Sequence, residues 1–164
     1  MKSLLILRHA KSSWKEPGTT DHDRPLNKRG KRDAPLMGAL IQDEKIVPDL
    51  IISSSAKRAL TTARAVAETA GYQGEILQEA SLYLAAPAAY LEQLSLLPPS
   101  VQRVMMVGHN PSMAELLYLL TQQEHAFPTA ALAVVQWDVD DWNEVVAHPR
   151  NGQLCDFWVP KELD

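Results

Sequence analysis

Three short, unbroken apolar runs constrain this chain most: Ser3 to Leu7 (SLLIL), Asp49 to Ser53 (DLIIS) and Arg103 to Val107 (RVMMV). An apolar run of about five residues with no polar alternation has no face to offer water, so each predicts a strand buried on both sides. Helix-period segments separate the runs. Asn27 or Asp33 caps a helix running to about Glu44, with Pro35 placing its regular part beyond it. Ser55 caps a helix through Leu60, Ala63, Val66 and Ala67, which ends at Gly71. Asn110 as N-cap and Pro111 at the first helical position open another, running to about Leu120. Glu75 to Leu77 reads as a short strand and Ala88 to Leu97 as a helix. Ala131 to Trp137 and Leu154 to Val159 read as later strands, the last near an edge because Pro160 stops it. Strands alternating with helices predict an α/β fold with helices on both faces of the sheet.

At 164 residues with 46% hydrophobic side chains, the chain suits one domain, 1–164, with a core that needs neither disulfide nor structural metal. Pro98 and Pro99 mark a loop rather than a domain boundary. No apolar run approaches the roughly 18 residues of a membrane helix, and MKSLLILRHA is too short in apolar residues for a signal peptide. With a single cysteine, Cys155, no internal disulfide or metal-ligand spacing arises, and a cytoplasmic location is the expectation. The net charge of −4 divides into +5 through Pro35 and −9 beyond it. An acidic body argues against nucleic acid, whose binders carry a basic domain. A local basic region fits a small anionic substrate or an acidic partner, though a solvated helix start explains Lys28 to Arg32 equally well.

The chemistry sits where the buried runs stop. The first ends in Arg8-His9, the second in Ser53-Ser54-Ser55 with Arg58 one turn into the next helix, and the third in Gly108-His109-Asn110-Pro111. Open α/β sheets bind ligands outside the carboxyl ends of their strands. If these strands are parallel neighbours, two arginines and two histidines converge beside helix N-termini, whose free N–H groups favour phosphate. Arginine's planar fork matches phosphoryl oxygens in pairs. The combination describes a pocket for a dianionic phosphoryl group.

These segments resemble the histidine phosphatase superfamily, whose fold is phosphoglycerate mutase-like. R-H-A-K at Arg8 to Lys11 is similar to its nucleophile motif. S-S-x-x-R-x-x-x-T, here Ser54, Ser55, Arg58 and Thr62, is similar to its second phosphate-binding segment, and G-H-N-P at Gly108 to Pro111 to its second-histidine segment. The short chain and D-H-D-R-P-L-N-K-R-G at Asp21 to Gly30 point to the small SixA-like phosphohistidine phosphatase branch. The resemblance implies a three-layer α/β/α sandwich with a mostly parallel sheet, its central strand order, and a phosphatase that uses no metal or other cofactor. It implies His9 as the nucleophile forming a phosphohistidine intermediate, with Arg8, Arg58 and a protonated His109 supplying positive field. The implied substrate is phosphohistidine on a protein domain. A small phosphorylated metabolite is the alternative, and a non-catalytic phospho-ligand binding module a weaker one.

The resemblance also implies an acidic proton donor after the second helix, for which Glu79 is the candidate by position, set against simple solvation as a loop glutamate. Arg24 either reaches the pocket rim or pairs with Asp21 or Asp23. Lys11 and Ser12 touch phosphate or only shape the loop, and Ser54 serves phosphate, a helix-capping turn, or both. His22, His125 and His148 read as surface residues. Trp14 is placed to line the entrance, Trp137 and Trp158 fit strands, and Cys155 reads as buried and inert.

Overall fold

The computed structural model describes residues 1–163; the last residue of the expected 1–164 domain lies outside them. Six strands form one sheet: β1 (Lys2–Arg8), β2 (Leu50–Ser54), β3 (Ile76–Glu79), β4 (Arg103–Gly108), β5 (Leu132–Trp137) and β6 (Gln153–Trp158). Their order is β3-β2-β4-β1-β5-β6. The first four are mutually parallel, and β5 runs antiparallel to both β1 and β6. The central strands are the unbroken apolar runs: Leu4, Leu5, Ile6 and Leu7 are fully buried, each such side chain contributing about 1.5–3 kcal/mol of burial.

Helices α1 (Lys28–Asp43) and α2 (Lys57–Ala70) cover one face, packing Ala34, Met37, Ile41, Ala63 and Val66 onto Leu5, Leu7, Met105 and Val107. Helices α3 (Pro87–Ser95), α4 (Ser112–Thr121) and α5 (Trp142–Ala147) cover the other, enclosing Leu4, Ile6, Val104 and Met106. The result is the three-layer α/β/α arrangement. Among the described residues no helix is long and apolar enough to cross a membrane.

Several local expectations are corrected. Asn27 caps α1 by accepting from the Gly30 N–H, and the helix passes through Pro35 rather than beginning after it. The buried stripe on both sides of Pro35 holds the helix together despite the missing N–H. Helix α2 begins at Lys57 after Ala56; Ser55 does not cap it, because its hydroxyl is bonded to His22. Helix α4 starts at Ser112, with Pro111 at its N-cap position rather than as its first helical residue. Helix α5, opened by a capping box of Asp141 and Glu144, escaped the periodicity reading because it is only six residues long. Cys155 is exposed, since β6 is the edge strand and the alternation there turns it outward.

Candidate active site

The register of the sheet builds the site. Arg8 on β1 pairs with Gly108 on β4, so the next residue of each strand, His9 and His109, emerges at the same edge. Their ring centroids are 5.1 Å apart, and the His9 N–H continues the ladder to the Gly108 carbonyl at 3.0 Å. Gly108 is required by packing: a Cβ there falls 2.0 Å from the Tyr90 hydroxyl.

Each histidine is fixed by one ring nitrogen. Nδ1 of His9 lies 2.7 Å from the Ala10 carbonyl. A carbonyl can only accept, so Nδ1 carries the proton and Nε2 keeps its lone pair. Burial, with smaller contributions from His109, Arg58 and Arg8, lowers the His9 pKa to about 3. His109 shares a hydrogen bond between its Nε2 and the Ser54 hydroxyl at 2.8 Å. Its pKa falls to about 4, chiefly through burial and then Arg58. Both rings are therefore neutral near pH 7. For the protein alone this differs from the protonated His109 that the resemblance implies during phosphoryl transfer, because burial beside Arg58 disfavours a further cation.

Helix α2 supplies Arg58 and is tied to the segment after His9 by Thr62. The Thr62 hydroxyl donates to the Arg58 carbonyl at 2.7 Å and accepts the Ala10 N–H at 2.9 Å. The threonine of S-S-x-x-R-x-x-x-T thus couples the turn after His9 to the helix carrying Arg58. Arg8 donates through Nη1 to the Phe127 carbonyl at 3.0 Å, which also accepts from the Asn110 side chain at 2.9 Å. The Ser54 hydroxyl also accepts from the Ala56 N–H at 3.3 Å, in the turn that leads into α2. Arg8 Nε, Arg58 Nε and His109 Nδ1 are buried without a hydrogen-bond partner. Buried polar atoms are rarely left so; the two arginine N–H groups leave unused donor capacity for an anion, and the His109 nitrogen leaves a place for a proton.

The carboxylate on this cluster is Asp21, which the sequence reading used only as a possible partner of Arg24. The loop from Ser13 to Pro25 is closed at its base by a bridge between Ser12 and Leu26 and carries Asp21 across to α2. Arg58 donates to the Asp21 carbonyl at 2.7 Å and to its Oδ2 at 3.2 Å. Arg24 Nε donates to Oδ1 at 3.1 Å, and the Tyr83 hydroxyl donates to Oδ2 at 2.5 Å. The Tyr83 hydrogen bond first, and then Arg58, hold the Asp21 pKa down at about 2. Arg24 thereby takes the pairing with Asp21 of its two expected roles, while its Nη1 donates to Ser12 at 2.7 Å.

Glu79 ends β3 beside Ser54 in register, but its carboxylate caps the following 3-10 turn by accepting from the Ser81 hydroxyl at 3.0 Å. Lys11 has an exposed side chain that lines a neighbouring groove. His22 is not a plain surface residue. Its Nε2 lies 2.9 Å from the Ser55 hydroxyl, and its ring meets Tyr83 edge-on at 4.8 Å. Trp14 is 75% exposed and lies over the Arg24 guanidinium at 3.4 Å. Among the described residues no three His, Cys, Asp or Glu side chains gather as a metal site.

Two strand-end histidines thus stand beside two arginines, and comparison with known proteins gives the chain a family. The histidine phosphatase superfamily (branch 1) matches residues 4–82. A Mycobacterium tuberculosis protein is 31% identical over 166 residues, covering 94% of this chain and all of the relative. The solved structure assigned to the phosphohistidine phosphatase SixA of Agrobacterium tumefaciens is 32% identical, with TM-score 0.82 over 97% of this chain and 98% of that one. The structure of the protein histidine phosphatase SixA complexed with tungstate shares the fold at TM-score 0.81 and 23% identity, over 99% of each chain. The chain belongs to the histidine phosphatase superfamily and is a phosphatase of its metal-independent type.

Proposed function

We propose that this phosphatase removes phosphoryl groups from phosphohistidine on proteins, with His9 as the nucleophile that becomes transiently phosphorylated. The state of Asp21 carries this reading. An alkyl phosphate expels an alkoxide and needs an acid beside the leaving oxygen. Of the two carboxylates at the site, Asp21, with its pKa near 2, is ionised and has no proton to give, and Glu79 is engaged in capping a turn. The proton that His109 gains with the anion is assigned in this reading to the phosphoryl oxygens rather than to a leaving group. A phosphohistidine expels imidazole, whose remote nitrogen takes its proton from solvent near neutral pH. The full-length similarity to the Agrobacterium protein supports the same substrate class.

In the first step the Nε2 lone pair of His9 attacks phosphorus, and the bond from phosphorus to the substrate nitrogen breaks. The Nδ1–H bond to Ala10 stays in place, so phosphorylated His9 is an imidazolium whose departure yields a neutral ring. In the second step water attacks phosphorus, the bond to His9 breaks, and the water proton passes to solvent or phosphate. Charge builds on the equatorial oxygens in both steps. The free Nε of Arg8 and of Arg58 are the groups available to meet it, and His109 joins them once an anion is bound.

The test is phosphate release from a phosphohistidine peptide and from an alkyl phosphate, with His9→Ala as control. Release from the peptide alone, abolished by His9→Ala, is the expected result. Faster release from the alkyl phosphate overturns the substrate class, and activity in His9→Ala overturns the mechanism.

A further inference from the structure

The basic excess of the first 35 residues has a place in the fold. A groove of about 600 Å³ runs between the loop after His9 and the start of α1, lined by Lys11, Trp14, Lys15, Lys28, Arg29 and Lys31, with Glu16 as its one acid. It begins two residues beyond His9 and adjoins the Arg24–Ser12 contact that borders the site. We infer that this groove docks an acidic stretch of the phosphorylated protein, next to the histidine being dephosphorylated. The inference rests on the proposed protein substrate and adds the chemistry of its flanking residues.

Three observations carry it. Among the described residues Lys11, Lys15, Lys28 and Lys31 form no salt bridge, whereas Arg29 and Arg32 share buried Asp33. These free lysines are exposed and stand on one strip of surface. The first turn of α1 has no acid and is crowded with cations, the arrangement a helix N-terminus opposes. Local stability does not account for it, whereas an approaching carboxylate does. Finally, the groove is rigidly set against the site: a Cβ on Gly30 falls 2.1 Å from the Lys11 carbonyl, so helix and loop are in backbone contact. The net charge of −9 beyond Pro35 confines this attraction to one strip, which suits a short acidic segment and repels a long polyanion such as RNA.

The test uses peptides carrying one phosphohistidine flanked by glutamates or by glutamines, with intact enzyme and with Lys28→Glu/Lys31→Glu. Reversing those charges complements the helix dipole, so the variant keeps its fold. The expected result at low ionic strength is about tenfold higher kcat/KM for the glutamate peptide, as steering by complementary charge permits. The preference disappears near 1 M salt, where the screening length is about 3 Å. It also disappears in the variant, whose kcat/KM on the glutamine peptide is unchanged. Equal kcat/KM for the two peptides at low salt overturns the docking site. Binding of the unphosphorylated peptides, followed by anisotropy of a dye on the peptide, separates the two claims. Glutamate-selective binding that the variant loses, with no turnover of either phosphopeptide, upholds the groove and sinks the substrate reading. Absence of glutamate-selective binding, or tighter binding of a uridine oligonucleotide, overturns the groove whatever the turnover.

Discussion

Binding of a non-titrating dianion to the site should take up a proton, and His109 should be its destination. In the empty site the His109 pKa lies at about 4 against an ordinary 6.5, held down by burial and then by Arg58. Sulfate held by the arginines offsets both causes and returns the ring at least to its ordinary value. The gap corresponds to about 3 kcal/mol of coupling between proton and anion, at about 1.36 kcal/mol per pH unit. The sign follows: between pH 6.5 and 4 the empty site binds no proton at His109 and the filled site binds one. Sulfate affinity therefore falls about tenfold for each unit of rising pH in that window. Titration calorimetry at pH 5.5 in buffers of different ionisation enthalpy reads the proton directly, with uptake near one expected. His109→Gln should abolish the uptake and flatten the pH dependence, while His9→Gln should leave both. No uptake by the intact protein, or undiminished uptake in His109→Gln, refutes the reasoning.

Arg58→Ala removes a guanidinium aimed at the pocket and the anchor of Asp21; steady-state assays should find kcat lowered about 10²–10³-fold, the range for one lost transition-state donor. Thr62→Val leaves the buried Ala10 N–H unpaired, and denaturant unfolding should register a loss of about 1–3 kcal/mol together with slower turnover. Both histidines have folded pKa values below the ordinary 6.5, so the unfolded chain takes up protons first. Their contribution to stability is present above pH 6.5 and is lost as pH falls toward about 4 for His109 and about 3 for His9, at up to about 1.36 kcal/mol per unit for each. His109→Gln should show a shallower decline in thermal melts over that range.

The parts of this fold that could be read from the chain are those governed by a local pattern. Unbroken runs such as SLLIL and RVMMV have one stable destination, the middle of a sheet covered on both sides. The residues ending them, Arg8-His9 and Gly108-His109, inherit their position from the strands. Asp21 was not legible because its place depends on a loop closed by the Ser12–Leu26 bridge, and no periodicity encodes that return. Tyr83 and His22 reach the site through the same long-range contacts. The carbonyl of Phe127, which holds Arg8 and Asn110 together, has no side-chain signature at all. Cys155 misled because alternation marks which residues share a face, whereas edge position decides whether that face is covered.

Charge balance explains why the empty pocket tolerates its cations and why both histidines rest neutral. Arg8, Arg24 and Arg58 against Asp21 leave the cluster with two positive charges in excess. A proton on either ring adds a third in a buried space, which is the direction the lowered pKa values express. A phosphoryl dianion brings the sum to zero and removes the electrostatic opposition to a proton on His109. On the proposed mechanism the neutral state of His9 serves a different end, because its Nε2 must present a lone pair when the phosphoryl group arrives. The Ala10 carbonyl enforces this by holding the ring proton on Nδ1, while His109, with a buried unpartnered Nδ1, has a nitrogen free to accept one. Two histidines of similar pKa, 5.1 Å apart, are thus given opposite tasks by their hydrogen-bond partners.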